Sequence, residues 1–196
     1  METMFEPLPV AHFSDVLAAG TRVLMPRRDF LSELELVELV QRIAAAPELW
    51  EPLVVVDSER RRYELLYEDG HVDVWVLSWM PGQRTGFHDH DRSRVGLVCA
   101  QGILRESSLA IGHAAETIEM TTGVSRSGPG GYIHAVSHQA GEPAVSIHAY
   151  SPPLTCVGQY RAGPEGRLRR EPEHGRKELK DATIPAGESR VSPADG

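Results

Sequence analysis

Between residues 53 and 150 the chain is cut into short apolar stretches by recurring glycine and proline, and this punctuation leaves few folds open. The stretches fall at 53–56, 72–79, 95–100, 103–109, 116–120, 133–136 and 144–150. Between them stand Pro81-Gly82, Gly112, Gly123, Gly128-Pro129-Gly130-Gly131 and Gly141-Glu142-Pro143. Many short strands separated by regular turn signals imply a sandwich or a barrel. In 72–79, Val72, Val74, Val76 and Ser78 alternate with Asp73, Trp75, Leu77 and Trp79, which predicts a strand with little exposed surface on either side.

The flanks differ from this centre. The spacing predicts a short helix over 12–20, ended by Gly20, and a longer one over 32–46. Ser32 is placed to cap the second, with Glu35 at the capping-box position. Leu36, Leu39, Val40 and Ile43 then share a face, and Pro47 ends the pattern. From Arg161 onward mixed charges, Gly and Pro replace large apolar residues, which implies a polar tail extended over the barrel or without fixed structure. The expected organisation is a helical extension packed on the barrel (1–52), a barrel (53–160) and a polar C-terminal tail (161–196).

A length of 196 residues suits one domain that buries its own core. A net charge of -8 argues against nucleic acid, whose phosphates call for clustered Lys and Arg. No apolar run approaches the roughly 20 residues that span a bilayer, so no membrane partner is expected. Residues 1–10 lack the basic and apolar regions of a secretory signal. Two cysteines, Cys99 and Cys156, make no disulfide framework, so both read as core residues and a cytoplasmic location is expected. Oligomeric state is left open, a monomer being compatible with the pattern.

Nine histidines remain to be placed. His88 and His90 flank Asp89, and residues two apart on a strand face one side, so both imidazoles can point at one spot inside a barrel. Further on, Gly123, Pro129, Gly131 and His134 follow one another at fixed spacing. Ser146, His148 and Tyr150 also alternate. Either they face the interior and hydrogen-bond to one another, or they line a half-exposed edge.

These residues resemble the cupin superfamily. Gly82, His88, His90 and Gly102 match its first motif, G-x5-H-x-H-x(3,4)-E-x6-G, with Val95 in place of the glutamate. Gly123, Pro129, Gly131 and His134 match its second, G-x5-P-x-G-x2-H-x3-N, with His138 in place of the asparagine. The resemblance covers about residues 63–160 and implies a mainly β jelly-roll barrel with short N-terminal helices. The stretch from Ser146 to Pro153, S-x-H-x-Y-S-P-P, is similar to the cysteine dioxygenase family, as is 79–83 leading to the histidine pair. That likeness implies iron(II) held by His88, His90 and His134, and a small thiol converted with dioxygen to a sulfinic acid. It also implies that Tyr150, oriented by His148 and Ser146, donates a hydrogen bond to dioxygen or substrate. A site of three neutral ligands leaves more open positions and more positive charge on the metal, which favours a thiolate.

Two departures bear on substrate. The cysteine that cross-links to the active-site tyrosine in some members would fall at Val95, so no such link forms. Cysteine-specific members carry an arginine on the first long strand, and members preferring 3-mercaptopropionate a glutamine. Alignment here leaves either Arg62 or Tyr63 at that position. Arg62 would grip a carboxylate in bidentate fashion, whereas the face of Tyr63 would suit a quaternary ammonium group. L-Cysteine is the default substrate, with 3-mercaptopropionate or a betaine thiol of the ergothioneine type as alternatives. A metal cupin of another reaction class and a non-catalytic binding cupin are the competing readings.

Overall fold

The computed structural model describes residues 30–110, 113–163 and 167–174. The helix expected at 12–20 lies outside these residues. Helix α1 spans Glu33–Ala44. The Ser32 hydroxyl accepts the Glu35 N–H, and the Glu35 carboxylate accepts the Ser32 N–H, so the expected capping box forms. A short helix α2, Pro47–Trp50, and a 3-10 turn, Glu51–Leu53, follow. The apolar residues 54–56 lie outside any strand.

Among the described residues eleven strands follow in two sheets, and the pairings between them are antiparallel. They are β1 (Arg62–Glu68), β2 (Asp73–Trp79), β3 (His88–Asp89), β4 (Arg94–Gln101), β5 (Ile103–Leu109) and β6 (Glu116–Thr121). After them come β7 (Ser125–Gly128), β8 (Ile133–Ser137), β9 (Ala144–Ser151), β10 (Cys156–Ala162) and β11 (Leu168–His174). One sheet runs β1-β2-β9-β4-β7 and the other β11-β10-β3-β8-β5-β6. Strands adjacent in a sheet but distant in sequence, such as β2 and β9, give the jelly-roll arrangement the motifs imply.

Two cores result. On the outer face of the first sheet, Leu36, Leu39, Val40 and Ile43 of α1 pack on Val74, Val76, Val98, Val145 and Ile147. Inside the barrel lie Trp75, Leu77, Trp79, Val95, Leu97, Cys99, Leu104, Met120, Val136, Tyr150, Leu154 and Val157. β2 and β9 are buried on both faces, so the apolar residues of β2 leave little exposed and the polar residues of β9 must find partners inside the protein. The helix lies tight against Gly96, where an added Cβ would be 2.7 Å from Cβ of Leu36.

Strand β11 falls within the segment expected as a polar tail. It pairs with β10 along seven residues, from Cys156↔His174 to Ala162↔Leu168. An edge strand of this kind stays polar because much of it faces water, so composition alone hides it. Among the described residues no helix is long and apolar enough to cross a membrane.

Candidate metal centre

The barrel interior brings His88, His90 and His134 together from two strands and a turn. His88 on β3 is directly opposite His134 on β8. His90 follows one residue after β3, so that the H-x-H spacing turns both rings inward. All three are buried, and their candidate ligand nitrogens lie within 4.8 Å of one another. Ring centroids are 4.6 Å apart for His88–His134 and 5.0 Å for each of the other two pairs.

The donor set fits a metal ion on the chemistry of the rings. His88 Nδ1 is 2.9 Å from the Gly86 carbonyl oxygen, which can only accept, so this nitrogen carries the proton and Nε2 is left as a donor atom to metal. His134 Nδ1 is 2.8 Å from Glu106 Oε1 and donates to it, leaving Nε2 with its lone pair. That Nε2 stands 3.4 Å from His90 Nε2. Two imidazole nitrogens each ~2.1 Å from one ion are separated by roughly 3 Å or slightly more, so this spacing suits two donors that share a cation. Burial pushes the His134 pKa down to about 4, against the opposing pull of Glu106. The ring is therefore neutral at pH 7, as a ligand must be.

Glu106 is a residue that the sequence reading did not single out. It is buried on β5, where its Oε2 accepts from Arg126 at 3.2 Å and its Oε1 from the Tyr132 hydroxyl at 3.3 Å. Burial favours its neutral form, but His134 and Arg126 outweigh this and hold the carboxyl below its ordinary value. The carboxylate missing from the motif position thus has a counterpart behind His134 rather than among the ligands. The clue was alternation: Leu104 and Glu106 point inward while Ile103 and Arg105 are exposed, so a charge occupies a core position.

The polar trio on β9 faces the interior, which resolves the alternative of an exposed edge. Ser146 Oγ is 2.9 Å from His148 Nε2, and His148 Nδ1 is 3.1 Å from the Tyr150 hydroxyl. Trp79 Nε1, also unforeseen, donates to Ser146 Oγ at 2.9 Å. An indole can only donate, so Ser146 Oγ accepts from Trp79, and the serine, the imidazole and the phenol form one continuous chain of contacts from the core to the metal side. The Tyr150 ring lies 4.8 Å from that of His90. Val95 is paired across the ladder with Tyr150, so the motif position lacking glutamate is filled by apolar bulk next to the phenol.

The two candidate substrate residues go to opposite faces. Tyr63 packs into the barrel core with its ring 6.2 Å from Trp75 in an edge-to-face arrangement. Arg62 points the other way and pairs with Asp57 at 3.8 Å near the surface. Arg61, sharing the inward parity of Tyr63, is buried with its guanidinium carbon 4.8 Å from the centroid of Trp79. His138, which stands at the asparagine position of the second motif, is buried with Nδ1 2.8 Å from the Ile103 carbonyl oxygen.

The chain matches the family model for cysteine dioxygenase type I over residues 21–162. It is 32% identical over 137 residues to cysteine dioxygenase type 1 of Homo sapiens, covering 61% of this chain and 68% of that protein. The Danio rerio protein of the same name is 27% identical over 145 residues, covering 64% and 68%. A cupin superfamily protein from Desulfitobacterium hafniense DCB-2 is similar in structure over 53% of this chain and 87% of its own, at 12% identity and a TM-score of 0.45. The chain belongs to the cysteine dioxygenase type I family, enzymes of the non-haem iron thiol dioxygenase type.

Proposed function

We propose that this enzyme uses iron(II) to convert a small thiol and dioxygen to a sulfinic acid, with L-cysteine as the default substrate. The observation that carries the reading is three buried imidazoles grouped around one point, beside an inward-facing phenol. Iron held by His88, His90 and His134 would supply acidity toward a coordinating thiol and a place for dioxygen beside it. The protein's own groups do the rest. Glu106 fixes the tautomer of His134 and keeps its lone pair on the barrel axis. Trp79, Ser146 and His148 hold Tyr150 so that its hydroxyl proton is offered to negative charge developing on oxygen. Val95 and Leu97 keep the surroundings dry, which strengthens that hydrogen bond.

A second substrate reading has a specific observation behind it. Tyr63 with Trp75 makes an aromatic inner wall, whereas Arg62 is engaged outside with Asp57. Such a wall favours a thiol carrying a quaternary ammonium group over one anchored by Arg62.

The test is oxygen uptake and sulfinate formation by the iron(II)-loaded protein with L-cysteine, 3-mercaptopropionate and a betaine thiol. Turnover of cysteine supports the default, and turnover of the betaine thiol alone selects the second reading. No uptake with any thiol overturns both.

A further inference from the structure

Strand β3 is two residues long, yet it carries His88 and leads directly to His90. Its ladder offers one pairing to β8 and two to β10, which is little backbone to fix the direction of two ligands. Additional restraint is concentrated on Asp89, between them. By strand alternation its side chain points away from the barrel axis, and it is nonetheless 3% exposed. Asp89 Oδ2 accepts from Arg170 Nε and from the Tyr160 hydroxyl, each at 2.7 Å. Asp89 Oδ1 accepts from Arg170 Nη2 at 2.7 Å and from the Asp91 N–H at 2.9 Å. Asp91 has φ 55°, the one positive φ outside glycine among the described residues, and its Oδ1 accepts from Arg170 Nη2 at 3.1 Å. The same guanidinium therefore grips both the residue between the two ligands and the left-handed turn that follows them.

The hairpin is shaped for this contact. Gly158 of β10 is directly opposite Asp89. A Cβ there would lie 2.2 Å from Arg170 Nε, so the guanidinium of β11 crosses β10 at a residue without a side chain to reach β3. Resting on the three-histidine metal reading, we infer that Arg170 is a positioning residue. Through a bidentate bond to Asp89, across Gly158 and backed by Tyr160, it holds the His88–His90 segment in its metal-binding direction. It touches neither metal nor substrate, and it makes the C-terminal hairpin part of the metal site's support.

The test uses full-length metal-free protein titrated with cobalt(II). Affinity is read by chelator competition, geometry by the visible d–d bands, and fold by melting temperature. Arg170→Met is expected to weaken cobalt binding about tenfold or more and to alter the bands. Gly158→Ala should do the same with the charge retained, because its methyl takes the guanidinium's place. Arg170→Lys, the variant to use if Arg170→Met does not fold, should recover only part of the loss. A lower melting temperature with cobalt affinity and bands unchanged in these variants overturns the inference. His134→Ala is the separate control: if it binds cobalt as tightly as the parent chain, the three-histidine reading falls and this inference with it.

Discussion

Glu106 Oε1 and His134 Nδ1 lie 2.8 Å apart, both sealed from solvent, and this contact decides which nitrogen of the ring faces the barrel axis. Glu106→Gln keeps an acceptor for the imidazole N–H but loses the charge that also engages Arg126. Glu106→Ala leaves His134, Arg126 and Tyr132 without that acceptor. Metal affinity measured by chelator competition should fall about 10-fold for the glutamine variant and closer to 100-fold for alanine. Equal affinity in all three proteins would refute the orienting role.

Tyr150 sits at the end of a chain that begins at Trp79, so the two ends should respond differently. Tyr150→Phe removes the hydroxyl offered to the reacting oxygen while leaving all three imidazoles in place. Turnover should drop by roughly 10²-fold with metal content unchanged. Ser146→Ala strands the Trp79 N–H in the core, which costs about 1–3 kcal/mol of stability and shows as a lower melting temperature. Its turnover should fall less than that of Tyr150→Phe. A Ser146→Ala protein with unaltered melting and turnover would break the relay.

Much of this centre was legible beforehand because ligand spacing and strand alternation are local properties. His88 and His90 are two residues apart, and Ser146, His148 and Tyr150 continue the same rhythm, so a single rule of strand geometry places each set on one face. The capping box at Ser32 is equally local. Glu106 and Trp79 escaped notice because their roles exist only across the barrel, where β5 meets β8 and where β2 meets β9. Arg170 escaped for a different reason. Its strand has the composition of a solvated tail, and its partner Asp89 lies 81 residues away. The choice between Arg62 and Tyr63 was a matter of register, since a shift of one residue exchanges the two faces of a strand. The pairing Tyr63↔Leu77 settles which of them is inside, because Leu77 belongs to the inner core.

That register makes the two neighbours separable by kinetics. Arg62→Ala removes a half-exposed ion pair to Asp57 and should leave kcat/KM within about twofold, as exposed pairs contribute little. Tyr63→Leu keeps apolar bulk but removes the ring face and hydroxyl from the inner wall. It should raise KM for the preferred thiol severalfold, with the relative rates on cysteine and a betaine thiol changed. Steady-state kinetics of both variants on the two substrates decide the matter. A larger effect at Arg62 than at Tyr63 would contradict the assignment.

Gly96 of β4 lies directly against Leu36 of α1, so its replacement tests the outer core rather than the metal site. A Cβ would meet Cβ of Leu36 at 2.7 Å and its carbonyl carbon at 2.8 Å, and backbone cannot swing aside as a long side chain would. Gly96→Ala should therefore push α1 off the sheet and cost about 1–3 kcal/mol, measured by denaturant unfolding. Unchanged stability would mean that the helix has slack here.

Cys99 provides the pH-dependent prediction. Its thiol faces the inner core, with Sγ 3.4 Å from the carbonyl oxygens of Gln101 and Gly102. Burial raises its pKa from 9.0 to about 11, the backbone contacts opposing only part of that shift. The thiolate is the nucleophile, so alkylation of Cys99 in the folded protein should be very slow at pH 8 and should occur readily once the chain is unfolded. Linkage fixes the sign for stability. Above pH 9 the unfolded chain releases this proton before the folded one does, so the folded state loses ground as pH rises from about 9 to about 11. Cys99→Ala removes the thiol and should flatten this part of the stability curve relative to the parent, with some loss of packing at all pH values. Mass-spectrometric labelling of Cys99 at pH 8 in native buffer, as fast as in urea, would show that the thiol is not enclosed.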